Sequence, residues 1–259
     1  MRHGIVLSTA KTGPFAFERL YRYWETYDPG SDAKAALLAE RYLLASEGRH
    51  HAYFVPIGAV PDANNRIVVV GLTPGFTQVQ RAARLYATTD AATREDDKAF
   101  SGLLKSDVAF GGSMRTNLCT MFDELGLHTI FGVPASNDFF APDSSLIATT
   151  SALVYPVFQG PSLINFPGAF DLAKSILFRE MIEALLAPRL IEAPHALIVP
   201  LGKSAGTAIR HLVAQHRLDE RRVLWDFPHP SGANGHRRQL FRENKDELAK
   251  QLREWFRAA

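Results

Sequence analysis

The sequence predicts an α/β fold: a central, mostly parallel four-stranded sheet flanked by helices, with a helical extension over residues 1–60. Three observations predict it. Four apolar, β-branched runs, at 66–70, 145–158, 195–201 and 222–225, have the composition of buried strands. Each is followed by a stretch of helical periodicity, and strands alternating with helices assemble as a parallel sheet covered on both faces. The 259 residues, 46% hydrophobic and 22% charged, contain no internal repeat or low-complexity segment, so one domain spanning 1–259 with one large core is expected.

In the extension, Phe15, Phe17, Leu20, Tyr21 and Trp24 recur at helical spacing, Asp28-Pro29-Gly30 breaks the run, and Ser31 caps a second helix to about Glu47. Arg49-His50-His51 reads as a solvated loop, because two adjacent histidines without a third ligand make a poor metal site. The strand at 66–70 runs into Gly71-Leu72-Thr73-Pro74-Gly75 and then into a helix over 77–87. Gly71 and Gly75 can take positive φ or admit a close neighbour, and Pro74 stiffens the loop between them. This is either a pocket floor or a plain strand-to-helix turn. Thr88-Thr89-Asp90 separates that helix from a charged one over 91–104. The Gly-bearing loop 107–112 then carries Phe110, which either offers its face to a flat ligand or plugs the core.

The strand at 145–158 ends near Pro156, Asn165-Phe166-Pro167-Gly168 is a loop, and 169–186 is an amphipathic helix. Gly202-Lys203-Ser204 opens the next helix after the strand at 195–201; a phosphate-loop motif would need glycine at 197, which is leucine. After the fourth run, Asp226-Phe227-Pro228-His229-Pro230-Ser231 places a histidine between two prolines. Both neighbours restrict the backbone, so His229 is presented on a stiff loop at a strand end, where open α/β sheets bind ligands. Residues 239–256 form a charged amphipathic helix.

Composition narrows the function classes. The single cysteine, Cys119, excludes an intrachain disulfide and a multi-cysteine metal site, and is consistent with a reducing compartment. No apolar run approaches the roughly 18 residues of a membrane span, and no signal-type apolar segment follows Arg2 and His3, so a cytoplasmic location without membrane partners is expected. Net charge is only +2, yet residues 200–259 hold twelve Lys and Arg against seven Asp and Glu. Positive charge gathers around the His229 loop, as a polyanion-binding surface requires.

Gly71-Leu72-Thr73-Pro74-Gly75 and His229-Pro230-Ser231-Gly232-Ala233-Asn234 together resemble the two motifs of the uracil-DNA glycosylase superfamily. Phe110 with the segment to Gly126, the stretch 148–156, and Leu201-Gly202-Lys203-Ser204-Ala205 are similar to the intervening segments of its thermostable branch. The resemblance runs from about Ile67 to the C-terminus and leaves the first 60 or so residues unmatched. It implies a monomeric enzyme that flips uracil out of DNA and hydrolyses its N-glycosidic bond. The four-cysteine iron–sulfur cluster of the thermostable branch has no ligands here, so neither cofactor nor metal is expected.

The resemblance assigns roles residue by residue. His229 hydrogen-bonds the base oxygen as charge develops, Phe110 stacks on the base, and Gly71, Leu72 and Thr73 line the floor, with Thr73 near the attacking water and Phe76 beside the base. Ser151, next to Thr150, takes the base-reading position usually held by Asn, with Asn165 as its substitute if the register differs. Pro74, Gly75, Ser231, Asn234, Arg237 and Arg238 approach the DNA, Arg237 or Arg238 filling the gap or clamping phosphates, while Ser231 bonds a phosphate or only caps its turn. Two departures matter: Thr73 stands where several branches have Asp or Asn, and a threonine hydroxyl orients water without acting as its base. Ser151 makes only part of the Asn pattern, which leaves hypoxanthine or xanthine as alternative bases and a non-catalytic damaged- or abasic-DNA binding module as the rival. A nucleoside hydrolase is a third class, for which the basic C-terminal quarter would be surplus. No Lys lies in either motif, so no lyase activity is expected.

Overall fold

Ile67-Val68-Val69-Val70 is β-branched and apolar on both of its faces, and it becomes the centre of the sheet as β3 (Ile67–Gly71), buried throughout. Burying each such side chain stabilises the fold by roughly 1.5–3 kcal/mol. The structure, a computed structural model, describes residues 23–24, 27–28, 33–57, 60–169 and 171–258. The expected helix through Phe15, Phe17, Leu20 and Tyr21 and the Ser31 cap lie outside them.

The remaining strands are β1 (Leu43–Glu47), β2 (His50–Tyr53), β4 (Ile147–Ser151), β5 (Val157–Gln159), β6 (Ile164–Asn165) and β7 (Leu197–Pro200). They form two sheets, a parallel one ordered β4-β3-β7 and an antiparallel one ordered β1-β2-β5-β6. Helices are α1 (Ala33–Leu37), α2 (Phe76–Thr88), α3 (Ala91–Glu95), α4 (Asp97–Leu103), α5 (Ser113–Glu124), α6 (Leu127–Ile130), α7 (Ile176–Glu180), α8 (Ala187–Ile191), α9 (Gly202–Ala214) and α10 (Arg237–Ala258). The alternating faces of β3 serve two cores. Val68 and Val70 pack with α2 and α9, and Ile67 and Val69 with α5 and α10. Helices therefore cover both faces of the parallel sheet, as a fully apolar central strand requires.

Several expectations are corrected. The parallel sheet has three strands, not four: 222–225 adds only a single parallel bridge, Ile198 to Val223, beside β7. The helix expected from Ser31 to Glu47 stops at Leu37, and 43–53 is a hairpin. Gly48, at φ 56°, supplies the turn that joins Glu47 to His50, and a positive first turn residue suits the twist of a two-residue hairpin. Arg49-His50-His51 is consequently not a loop, since both histidines lie in β2. The single strand expected at 145–158 is two. β4 leaves the parallel sheet at Ser151, and Pro156 leads into β5, which pairs with β2. The helix expected from 169 begins at Ile176, where Ser175 accepts a bond from the Phe178 amide. The helix expected over 91–104 is interrupted at Asp96, whose side chain caps α4. Among the described residues no helix is long and apolar enough to cross a membrane.

Candidate functional site

The parallel register aligns Gly71 with Ser151 and Val70 with Pro200, so the loops leaving β3, β4 and β7 emerge at one edge of the sheet. Strand spacing of roughly 5 Å sets these loops side by side. Beyond the ladder, the Gly71 and Leu72 carbonyls each accept a 2.8 Å bond, from the amides of Ala152 and Leu153. The Thr73 hydroxyl donates to the Tyr155 carbonyl at 3.2 Å and accepts from the Val157 amide at 3.1 Å. The loop is thereby laced to the crossing from β4 to β5. At α2 the Gly75 amide donates to Gln78 Oε1, and the Phe76 amide donates to Asn165 Oδ1 at 2.9 Å.

Neither Gly71 nor Gly75 adopts positive φ. Their bareness serves close approach: a Cβ on Gly71 would meet the Phe110 ring edge at 3.0 Å, and one on Gly75 would meet the Asn165 amide at 3.6 Å. Phe110, itself at φ 50°, packs in the α5/α10 core and is 7% exposed, so its ring is a core residue set against Gly71. Alternation along β4 places Ser151 on the face that carries Phe110, and Thr150 on the other with Val70. The half-buried Ser151 hydroxyl makes no hydrogen bond among the described residues, whereas the Thr150 hydroxyl is buried without a partner.

On the far side of β3, the Leu201 amide donates to the Val70 carbonyl and the Gly202 amide to Phe227, each at 2.9 Å. Gly202 takes φ 77°, and a Cβ there would lie 2.8 Å from His229 Cβ. The glycine of the strand-to-helix turn is therefore the seat of His229. Pro228 and Pro230 are buried and His229 is half-buried between them. The Ser231 amide donates to His229 Nδ1 at 3.2 Å. A nitrogen that accepts carries no proton, so the neutral ring bears its hydrogen on Nε2. Burial pushes the His229 pKa below the ordinary 6.5, which keeps the ring neutral at physiological pH. The site thus offers a neutral Nε2–H donor on a rigid loop.

The other expected residues divide. Asn234 Nδ2 donates to the His229 carbonyl at 3.0 Å, and the Ser231 hydroxyl accepts from the Ala233 amide, so both build the loop. Arg237 turns inward, donating to the carbonyls of Asn234 and Gly232, while Arg238 is exposed. Pro74 is buried at the first loop. Leu72 is half-buried against Gly168, whose carbonyl accepts from Ser204. Phe76 is not brought to the cleft, because its ring packs toward Phe158 and lies beneath Lys34. Sequence reasoning missed Asn117 of α5, whose amide donates to the Pro230 carbonyl at 2.8 Å; nothing in a helical Asn signals such a partner. It also did not assign Gly202 a role at His229, although a glycine directly after a buried strand marks a close approach.

Among the described residues no group of three His, Cys, Asp or Glu is arranged to hold a metal. Cys119 is buried, with its thiol pushed up to about 12 by desolvation, so it is not a nucleophile. An open cavity of about 220 Å³ lies before β4, lined by Ser106, Arg115, Asn137, Asp138, Phe140 and Ala141. Its guanidinium is committed to the carbonyls of Lys105, Ser106 and Ala109.

In comparisons with known proteins, the chain is 33% identical over 228 residues to the uncharacterized protein YoxB of Bacillus subtilis (strain 168), covering 87% of this chain and 88% of that protein. No family model and no solved structure matches it.

Proposed function

This chain belongs to the family of Bacillus subtilis YoxB, and for it we propose, from the geometry of its candidate site, a monofunctional uracil-DNA glycosylase with the fold of that superfamily. The relative's name assigns no activity, so the proposal rests on the site. The observation that carries it is the neutral Nε2–H of His229, set on a proline-bounded loop across β7 from the bare Gly71. The order β4-β3-β7, continued by the Val223 bridge, supports the fold assignment.

In the proposed reaction a uracil nucleotide leaves the duplex and enters the cleft between Phe110 and the His229 loop. The bond between N1 and the sugar C1′ breaks, and its electron pair departs with the base. His229 Nε2–H donates to the base O2 as negative charge grows there, a stabilisation that a neutral, desolvated donor supplies without having to lose its proton. Ser151 offers its hydroxyl to the base edge. Water adds to the oxocarbenium-like C1′, and the proton it releases passes to the departing uracil anion, yielding an abasic sugar and free uracil. Thr73 has its proton committed to Tyr155, so it contributes at most one remaining lone pair to that water. Departure of the base therefore leads and water follows. Exposed Arg238 and Lys203 are the cations available to DNA phosphates, and Arg237 holds the loop.

The replacement of an Asn by Ser151 favours a second base class, since a single hydroxyl discriminates oxo-bases weakly; hypoxanthine and xanthine are the alternatives. The engagement of Thr73 and the burial of Phe110 favour the rival, a module that binds damaged or abasic DNA without cutting. A labelled duplex with one uracil, followed by alkali, decides. Strand scission abolished by His229→Ala supports the enzyme. Uncut uracil with scission of hypoxanthine or xanthine strands changes the base, and binding of abasic duplex with no scission supports the module.

A further inference from the structure

We infer that Asn117 is a positioning residue: from α5 it fixes the carbonyl of Pro230 and so holds the His229 ring at the cleft, coupling the loop to the segment that carries Phe110. His229-Pro230-Ser231 belongs to no strand ladder, and proline supplies no amide by which a neighbour could anchor it. Besides the turn bonds that Ser231 accepts from the Ala233 and Asn234 amides, three bonds orient His229 and Pro230. The Ser231 amide meets His229 Nδ1, Asn234 Nδ2 meets the His229 carbonyl, and Asn117 Nδ2 meets the Pro230 carbonyl. The second is internal to the loop, while the first is made by the N–H of the same Pro230–Ser231 peptide group whose carbonyl Asn117 holds, so its aim at Nδ1 depends on the third. Among the described residues only the third, spanning 113 positions of sequence, ties the tripeptide through a side chain to another element.

That element is also the one that presents Phe110. α5 starts at Ser113, just after the two positive-φ residues Phe110 and Gly112, so a helix held rigid by Leu118, Cys119, Met121 and Phe122 in the core carries both the Phe110 turn and the tie to the His229 loop. Ser113 lies against the loop as well, where a Cβ on Gly232 would come within 3.3 Å of its hydroxyl. Gly202 abuts His229 Cβ, so loss of the Asn117 amide removes the polar tie to α5 and leaves only van der Waals contacts at Gly202 and Ser113 to seat the loop. A displacement near 1 Å at a reacting group costs about a hundredfold in rate.

The inference concerns the geometry of His229 and depends on the glycosylase reading only for its catalytic consequence. The first measurement is therefore a long-range proton–nitrogen NMR spectrum of the imidazoles of the intact protein, with His229 assigned by its absence in His229→Gln. The native ring is expected to show a single Nε2–H tautomer. Asn117→Asp, which keeps the shape and cannot donate, is expected to give averaged tautomer shifts, while Asn117→Gln, which keeps a donor, restores part of the native pattern. Lys245→Ala, which removes only the exposed ion pair from α10 to Glu124 of α5, is the control and leaves the pattern unchanged. In the uracil assay Asn117→Asp is expected to lower kcat by about ten- to a hundredfold at unchanged KM. A native tautomer pattern in folded Asn117→Asp and Asn117→Ala overturns the inference. A shifted pattern in a protein that cuts no uracil strand upholds it and overturns the glycosylase reading instead. If Asn117→Asp does not fold, the comparison passes to Asn117→Gln against Asn117→Ser, and equal spectra in those two overturn it.

Discussion

The two loops that face each other at the sheet edge are held in opposite ways. Gly71–Gly75 is an extension of the sheet itself: its carbonyls and the Thr73 hydroxyl continue the pairing of β3 with the chain leaving β4. The His229 loop follows a single bridge, not a strand, and hangs on side-chain amides and a seat at Gly202. The first loop draws much of its rigidity from backbone hydrogen bonds set by the sheet register, with the Thr73 hydroxyl added. The second depends on named side chains. Substitutions on the first loop should therefore cost stability more than activity, while those on the His229 side should always cost activity.

The largest expected effect breaks the second loop at its functional atom. His229→Ala should lower uracil excision by at least about a hundredfold, the scale of removing one preorganised donor, with native circular dichroism. Next, Gly202→Ala forces a side chain into φ 77° and against His229. It should cost roughly 1–3 kcal/mol in urea unfolding and lower kcat together with stability. On the first loop, Thr73→Val leaves the Val157 amide without its acceptor, for about 1–3 kcal/mol of stability. Thr73→Ser keeps the bond and should restore it, and a Thr73→Val enzyme whose kcat collapses while stability holds would erase the contrast drawn between the loops. The smallest is Asn165→Ala, which removes the acceptor at the start of α2, for about 1 kcal/mol with little change in kcat.

Acidity sharpens the same contrast. His229 has a folded pKa below 6.5, so between the two values the unfolded chain binds more protons and stability rises with pH. Its contribution is complete above about 6.5 and is lost as pH falls through the depressed folded value. Activity that requires the neutral ring should fall over that same lower range, and His229→Gln should flatten the acid limb of both the kcat and the unfolding profiles.

Period and composition were sufficient for the elements whose environment is uniform. β3, β7 and the helices α2, α9 and α10 were all legible, because a strand buried on both faces and a helix buried on one leave unambiguous patterns. The stretch 43–53 was not, since Leu43-Leu44-Ala45-Ser46-Glu47 has good helical propensity, and it is the pairing of β2 with β5, more than a hundred positions away, that holds it extended. Of the candidate site, chemistry and spacing singled out His229, Gly71 and Ser151, whereas nothing in the sequence signalled that the Phe76 ring packs toward Phe158, because a side chain at a helix start can turn toward either neighbour and only tertiary packing decides which.

By itself, then, the sequence determined the α/β class, the edge at which its loops meet, and a histidine that two prolines keep out of any regular element. Tertiary structure alone decided the second, antiparallel sheet, the tautomer of His229 and the partnership of Asn117 with Pro230. The physical reason is range: prolines and apolar periods act on neighbours along the chain, while strand pairing and a 2.8 Å amide-to-carbonyl bond join residues that only folding brings together.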